Sequence, residues 1–159
     1  MAALPPWAAS YVGLPYRDRG RARDGLDCWG LLCLVYAERC GIMLPAFDGL
    51  GWHDFAAAAA DRAGAAALAR FMANHMEDWA PIPAMPRERA SWPALRECDA
   101  IHLTTMGEPV HCGVVLAPPW FLHIEEGIDS CIEDWTAIRF RNRVAGFYRW
   151  QGSPPHSVR

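Results

Sequence analysis

The strongest constraint on the fold is a change in sequence periodicity near residue 99. From there on, short segments rich in β-branched and aromatic residues alternate with turn residues, which predicts an antiparallel sheet. The predicted strands are 99–105, 109–116, 120–125, 128–132 and 144–150. The preceding part of the chain has helical patterns instead. Helices followed by a sheet predict a single α+β domain.

Residues 27–40 form the clearest predicted helix. Asp24 or Asp27 can cap its start, and Gly41 ends it. The segment is apolar on nearly all sides until Glu38, so we expect a central, buried helix.

The other N-terminal segments are less regular. A short helix is predicted over 5–12, an alanine-rich helix over about 55–76, and an extended connection over the proline-rich residues 79–96. We therefore expect one domain over 1–150 with a helical and proline-rich insertion at about 55–96. Residues 151–159 are expected to form a surface tail.

Composition argues against several classes of protein. A chain of 159 residues that is 52% hydrophobic and 21% charged is typical of one folded domain. The net charge of −3 argues against nucleic-acid binding, and no apolar run approaches the roughly 20 residues of a membrane span. The N-terminus is a poor secretion signal, so we expect synthesis in the cytoplasm and reduced cysteines. Without zinc-ligand spacing, neither a metal nor a cofactor is expected.

The stretch DGLDCWGLLC contains two of the six cysteines, Cys28 and Cys33. Cys28 falls in the first turn of the predicted helix, where free N–H groups and the helix dipole favour a thiolate. Cys33 lies deeper in an apolar run, where desolvation holds the thiol neutral. Cys28 is therefore the candidate nucleophile and Cys33 a core residue. A nucleophilic cysteine also needs an imidazole partner.

His111 and His123 are the candidate partners, on the second and third predicted strands. With a loop at 116–118 they lie directly opposite each other on one sheet face, and Gly113 leaves room for a helix end. Taken alone, such a pair is an ordinary cross-strand contact or half of a metal site. Together with Cys28 it suggests a Cys–His–His triad.

These residues stand in blocks that resemble the NlpC-type cell-wall cysteine peptidases, a papain-like family. The resemblance covers residues 9–45 and 97–150. It implies an α+β fold in which the catalytic cysteine opens a central helix that packs on an antiparallel sheet. The matching positions are Gly13, Pro15, Tyr16, Gly20, Gly25, Asp27, Cys28, Gly30, Leu31, Asp99, His111, Gly113, Val114, Leu116, Phe121, Leu122 and His123.

The resemblance implies a role for each member of the triad. Cys28 is the nucleophile, His111 the base and His123 the residue that orients His111. The implied reaction is hydrolysis of a peptidoglycan stem-peptide amide, often between γ-D-glutamate and the diamino acid. The backbone N–H of Cys28 is the candidate donor to the oxyanion.

The resemblance also implies substrate contacts. Tyr16 would lie against the thiolate, and Asp27 would face the free amine of a stem peptide. Trp29 replaces the serine that most members have after the cysteine, and we count it as substrate-binding. The loop between Tyr16 and Asp27 is unusually rich in arginine, either to bind acidic groups or as a solvated loop. These arginines are Arg17, Arg19, Arg21 and Arg23.

A lone domain with an aromatic residue after the cysteine resembles the tail-associated members of bacteriophages and gene transfer agents. We therefore expect a tail-tip peptidoglycan hydrolase, carried to the wall by a phage or phage-like particle. Its partners would be stem peptides and tail-tip or hub proteins, with the insertion at 55–96 either docking on them or covering the core. One alternative is a structural tail-tip protein with a vestigial peptidase fold, which Trp29 favours and the complete triad opposes. Another is a cytoplasmic bacterial amidase or acyltransferase.

Overall fold

The computed structural model describes residues 3–47 and 61–152 of the chain. A small two-stranded sheet pairs β1 (Arg21–Ala22) with β2 (Gly25–Leu26). The strands of the main sheet are β3 (Trp79–Pro81), β4 (Ala100–Thr105), β5 (Glu108–Ala117), β6 (Trp120–Glu125), β7 (Ile128–Asp134) and β8 (Val144–Trp150). This sheet is antiparallel throughout, with the strand order β3-β8-β4-β5-β6-β7. All five predicted strands are confirmed, and so is the α+β class.

The central helix is confirmed with one change. Helix α1 covers Cys28–Val35 and continues as a π-helical turn over Tyr36–Cys40. Its first turn is capped by Asp27, which accepts a 2.6 Å hydrogen bond from the N–H of Gly30. Gly41 ends the helix in a left-handed conformation, as its position predicts.

The remaining N-terminal elements differ in detail from the prediction. The short helix is a 3-10 helix over Pro6–Tyr11. Helix α2 covers Arg62–Ala73 and is capped by Asp61. It ends three residues before the predicted helix over about 55–76, and the first part of that predicted helix lies outside the described residues.

The prediction that 79–96 lacks regular structure is wrong. Strand β3 pairs with β8 through Trp79 and Trp150, and a 3-10 helix covers Arg89–Ala94. Proline density favoured a connection, but β3 lies at the edge of the sheet, where a residue without an N–H is tolerated.

Both faces of the main sheet are covered by apolar residues. The first core lies between the sheet and α1 and includes Leu32, Val35, Val114 and Leu122. The second core lies on the opposite face and is closed by Trp135 and Phe140 from the segment between β7 and β8. Other members of the second core are Ile101, Leu103, Val115, Phe121 and Phe147. Among the described residues, no helix combines the length and apolar character that a membrane span requires.

Candidate active site

Cys28 is the first residue of α1, and its thiol meets β5. Hydrogen bonds with the side chains of Cys112 and His111 hold the pKa of Cys28 well below its usual value, although burial acts in the opposite direction. Burial raises the pKa of Cys33 to about 12. The pKa of Cys28 is thus lowered and that of Cys33 is raised, as their positions in the helix predict.

We expect a thiol-alkylating reagent near neutral pH to modify Cys28 before the other five cysteines. Only Cys28 combines a helix start with an imidazole neighbour. Cys40 is the main competitor, because a hydrogen bond with Cys98 lowers its pKa as well. Peptide mapping of the wild-type chain and of Cys40→Ser after partial alkylation tests this. First modification of Cys33 or Cys112 would contradict the assignment of Cys28.

The two histidines lie on one face of the sheet, as predicted, but in a different register. The turn falls at 118–119, and continuing the observed β5–β6 register places Gly113 opposite His123 and His111 opposite Glu125. The prediction that the histidines face each other directly is wrong. A shift of two residues leaves both on the same face, so they meet as diagonal neighbours. The Nε2 atom of His111 lies 3.1 Å from Nδ1 of His123.

Gly113 makes this diagonal contact possible. A Cβ at this position would lie 2.8 Å from the carbonyl oxygen of Leu122 and 3.2 Å from Cβ of His123. The sequence predicted that the space beside Gly113 receives a helix end, but strand β6 fills it.

A β-bulge lies next to His111 on its other side. Leu103 of β4 faces His111, while Thr104 faces Pro109, so Val110 is the additional residue in β5. Bulges of this kind change the direction in which the neighbouring side chain points. The bulge is thus one means by which His111 reaches both Cys28 and His123.

His123 is fully buried between aromatic rings. It stacks on Phe121 with ring centroids 4.8 Å apart and meets the ring of Phe140 at 5.3 Å. Burial, and then the neighbouring His111, lower the pKa of His123 to about 3. His123 is therefore a neutral imidazole at physiological pH, suited to orienting His111 rather than to carrying charge.

This shift predicts a pH dependence of stability. The unfolded chain protonates His123 near pH 6.5, whereas the folded chain resists protonation down to about pH 3. Its contribution is therefore complete above pH 6.5 and is lost as the pH falls, by about 2 kcal/mol at pH 5. Urea unfolding of wild type and His123→Gln between pH 7.5 and 5 tests this. The free energy of unfolding should fall with a steeper slope in the wild type as the pH is lowered. The comparison with His123→Gln is needed because burial also raises the pKa of Asp27, to about 6. Asp27 therefore makes the folded chain more stable as the pH falls, which opposes the effect of His123. Equal slopes would contradict the prediction.

Glu125 belongs to the site, and the sequence analysis missed it. Its Oε1 lies 3.5 Å from Nε2 of His111 and 4.0 Å from Nδ1 of His123. Arg139 and Arg143 each hold the carboxylate at 2.9 Å. Burial raises the pKa of Glu125, but His111 and Arg143 outweigh burial and the net direction is downward. An anion in this position can stabilise a His111 imidazolium. The available signal was its place two residues after His123, on the same strand face.

The predicted substrate-binding residues occupy three different settings. The Asp27 carboxylate is buried and already engaged, since Oδ1 caps α1 and forms a 2.7 Å ion pair with Arg21. Tyr16 is half-buried, and its phenol pKa is raised by burial and by nearby negative groups that include Cys28. Trp29 donates a 2.9 Å hydrogen bond to the carbonyl of Pro45.

The arginine-rich loop is bound in part to the chain itself. Besides Asp27, Arg21 contacts the carbonyl oxygens of Gly20 and Ala46. Arg23 forms an ion pair with Glu38 at 2.6 Å. These two arginines therefore have partners within the fold.

An apolar cleft opens beside Cys28 on the face of β5 that carries Cys112. It encloses about 630 Å³ of empty space, counting space open to solvent. Helix α2 forms one wall, and α1 and the sheet form the others. The described lining residues are Cys28, Trp29, Leu32, Phe47, Phe71, Met72, His75, Met76, Trp79, Ala100, Ile101, His102, Val110, Cys112 and Tyr148.

Two groups of potential metal ligands share His123. One adds His111 and Glu125, and the other adds Cys131 and Glu133. Arg139 forms ion pairs with both carboxylates, at 2.9 Å and 3.1 Å. A metal at either place would have to compete with this arginine.

No protein-family model matches this sequence, and no curated protein has a sequence similar enough to be detected. Solved structures do match. A Staphylococcus aureus Mu50 protein, described as similar to a lipoprotein of the NLP/P60 family, has a TM-score of 0.57 at 20% identity. An NlpC/P60 family protein of Bacillus cereus ATCC 10987 gives 0.55 at 16%. The NlpC/p60 domain of the peptidoglycan hydrolase SagA gives 0.50 at 15%.

The extent of these matches differs. The alignments cover 92%, 91% and 89% of this chain, and respectively 39%, 38% and 90% of the S. aureus, B. cereus and SagA chains. This chain thus spans well under half of the first and second of these proteins and nearly all of the SagA domain. It has the α+β, papain-like fold of NlpC/P60 proteins, with Cys28 at the start of the central helix.

Proposed function

We propose that this chain is a cysteine endopeptidase that hydrolyses amide bonds in peptidoglycan stem peptides. The observation that carries the proposal is the contact of Cys28, at the start of α1, with His111, which in turn contacts His123. The fold is that of NlpC/P60 proteins, one of which is described as a peptidoglycan hydrolase.

The proposed reaction follows from these contacts. His111 accepts the proton of Cys28, and the thiolate attacks the amide carbonyl. The backbone N–H of Cys28, in the first helical turn where N–H groups lack helical acceptors, is the donor that we assign to the oxyanion. His111 then protonates the departing amine, and water hydrolyses the thioester. His123 holds the ring of His111, and Glu125 stabilises its positive charge.

The test is digestion of purified peptidoglycan with mass spectrometry of the released muropeptides. Wild type should produce fragments with a new amine and a new carboxyl group, and Cys28→Ser should produce neither. A folded wild-type chain whose Cys28 reacts with alkylating reagents but which cleaves no stem peptide would overturn the proposal.

We further propose that a phage or phage-like particle carries the enzyme at its tail tip. The support is the sequence resemblance to tail-associated members, in particular the aromatic Trp29 after the cysteine. Arg62 and Arg70 on α2 are exposed and are candidates for contact with a tail-tip or hub protein. Deleting the insertion at about 55–96 would remove α2, which lines the cleft beside Cys28. Charge reversal at these two arginines instead alters the exposed surface of α2 and leaves the cleft in place.

Immunogold labelling of purified particles should locate the chain at the distal tail end. Arg62→Glu combined with Arg70→Glu should lower incorporation while hydrolysis by the purified chain persists. Particles that lack the protein would overturn the tail-tip role.

A second candidate function is an amidase or acyltransferase that acts on an apolar acyl group. The apolar lining of the cleft beside Cys28 favours it. Transfer of an acyl group from a synthetic thioester to an amine, with no cleavage of stem peptides, would support this candidate over the endopeptidase.

A further inference from the structure

The nucleophile lies between two different environments. His111 contacts Cys28 and connects it to His123 and Glu125. The apolar cleft extends from the other side, where Cys112 forms part of the lining. A substrate whose carbonyl reaches the sulfur of Cys28 therefore places a neighbouring group in or near the cleft.

The cleft offers little to a charged group. Its lining, within the described part of the chain, contains no aspartate, glutamate, lysine or arginine. Two histidines contribute, and one ring nitrogen of each is held by a backbone carbonyl: His75 Nδ1 lies 2.8 Å from the oxygen of Phe71, and His102 Nε2 lies 2.7 Å from that of Pro109. Burial lowers the pKa of His102, which favours its neutral form.

The walls of the cleft are adaptable and apolar. Met72 and Met76 contribute flexible thioethers, which fit side chains of varied shape. The polar edge of Trp29 is occupied by the carbonyl of Pro45, so its hydrocarbon surface remains for the ligand. A carboxylate placed here would lose its hydration without gaining a counter-charge from the described lining.

We infer that the cleft is a specificity pocket for an uncharged, apolar group next to the scissile carbonyl, aliphatic or aromatic in character. The inference rests on the proposed function in that it assigns Cys28 as the nucleophile. The inference also makes that function more specific. The cleft would favour amide bonds that adjoin an apolar side chain over amide bonds that have a carboxylate on both sides.

The test measures alkylation of Cys28 in the full chain and requires no hydrolysis. N-butyl iodoacetamide and N-(2-methoxyethyl) iodoacetamide have similar length and reactive group and differ in polarity. Each rate, measured by peptide mass spectrometry, is divided by the rate of the same reagent with 2-mercaptoethanol. We expect the butyl reagent to be favoured about tenfold at Cys28, because its one additional methylene contributes about fourfold and the ether oxygen of the other reagent loses its water on burial.

Variants of α2 locate the effect. Met72→Gln keeps length and helix propensity but places an amide in the cleft, and it should reduce the butyl preference severalfold. The matched control is Arg70→Gln, on the exposed side of the same helix, which should keep the wild-type ratio. A ratio near one in the wild type, or the same ratio in Met72→Gln as in Arg70→Gln, would overturn the inference.

These outcomes separate the two proposals. A strong butyl preference without stem-peptide cleavage supports the pocket and rejects the endopeptidase. Stem-peptide cleavage with a ratio near one does the reverse. If cleavage occurs, the bond should have an uncharged apolar side chain on at least one side, and a bond flanked on both sides by carboxylates would overturn the inference.

Discussion

Replacing His111 with alanine should lower the rate of stem-peptide hydrolysis by about a thousandfold or more. The variant loses the group that accepts the proton of Cys28 and that protonates the departing amine. Hydrolysis rates of wild type and His111→Ala on purified muropeptides measure this, with circular dichroism to show that the variant folds. Full activity of a folded His111→Ala would remove His111 from the mechanism.

The residues behind His111 should have smaller effects. His123→Gln keeps a hydrogen-bonding group near Nε2 of His111, and Glu125→Gln keeps the shape of the side chain but removes its charge. We expect each to lower hydrolysis by about tenfold to a hundredfold, since an orienting group is partly replaceable. Glu126→Gln, at the exposed neighbouring residue, is the control and should keep the wild-type rate. A wild-type rate in a folded Glu125→Gln would contradict the role assigned to Glu125.

Gly30→Ala should destabilise the fold by about 3 kcal/mol or more. A Cβ at Gly30 would overlap the backbone carbonyl oxygen of Gly20 and lie 3.2 Å from the guanidinium of Arg21. The loop that carries the Arg21–Asp27 ion pair would then have to move away from the start of α1. Urea unfolding measures the loss.

Gly41→Ala is the control for this substitution. It lies after the same helix, and its Cβ would meet nothing within 4 Å. Its positive φ of 64° still makes the change cost about 1 kcal/mol. If Gly30→Ala lowers the free energy of unfolding no more than Gly41→Ala does, the prediction is wrong, and the loop that carries Gly20 and Arg21 moves aside at little cost.

Local patterns predicted much of this fold. The strands between residues 99 and 150 and the helix that begins with Cys28 depend on residue spacing and end signals, which a sequence displays directly. The contrast between Cys28 and Cys33 follows from their positions in one helix, and the pKa directions agree with it. Edge strand β3 was missed because an edge position, which permits Pro81, is a property of the whole sheet.

The site required information that local patterns lack. The register of β5 and β6 depends on where the turn falls, and an error of two residues exchanged His123 for Glu125 as the residue opposite His111. Arg139 and Arg143, which hold Glu125, come from a distant loop, so their ion pairs follow only from the packing of the chain. The cleft likewise combines α1, α2 and four strands.

The two covered faces of the sheet have a consequence for how heat inactivates the protein. Cys28 is positioned by α1 and the first core, whereas the ring of His123 is held by Phe121 and Phe140 of the second. The Cys28 thiol and the ring that orients His111 are thus held by two separately packed layers. Loosening of either layer misaligns the site while most backbone hydrogen bonds persist. Catalytic rate should therefore decline at temperatures where the far-ultraviolet dichroism is still that of the folded chain, and it should return on cooling.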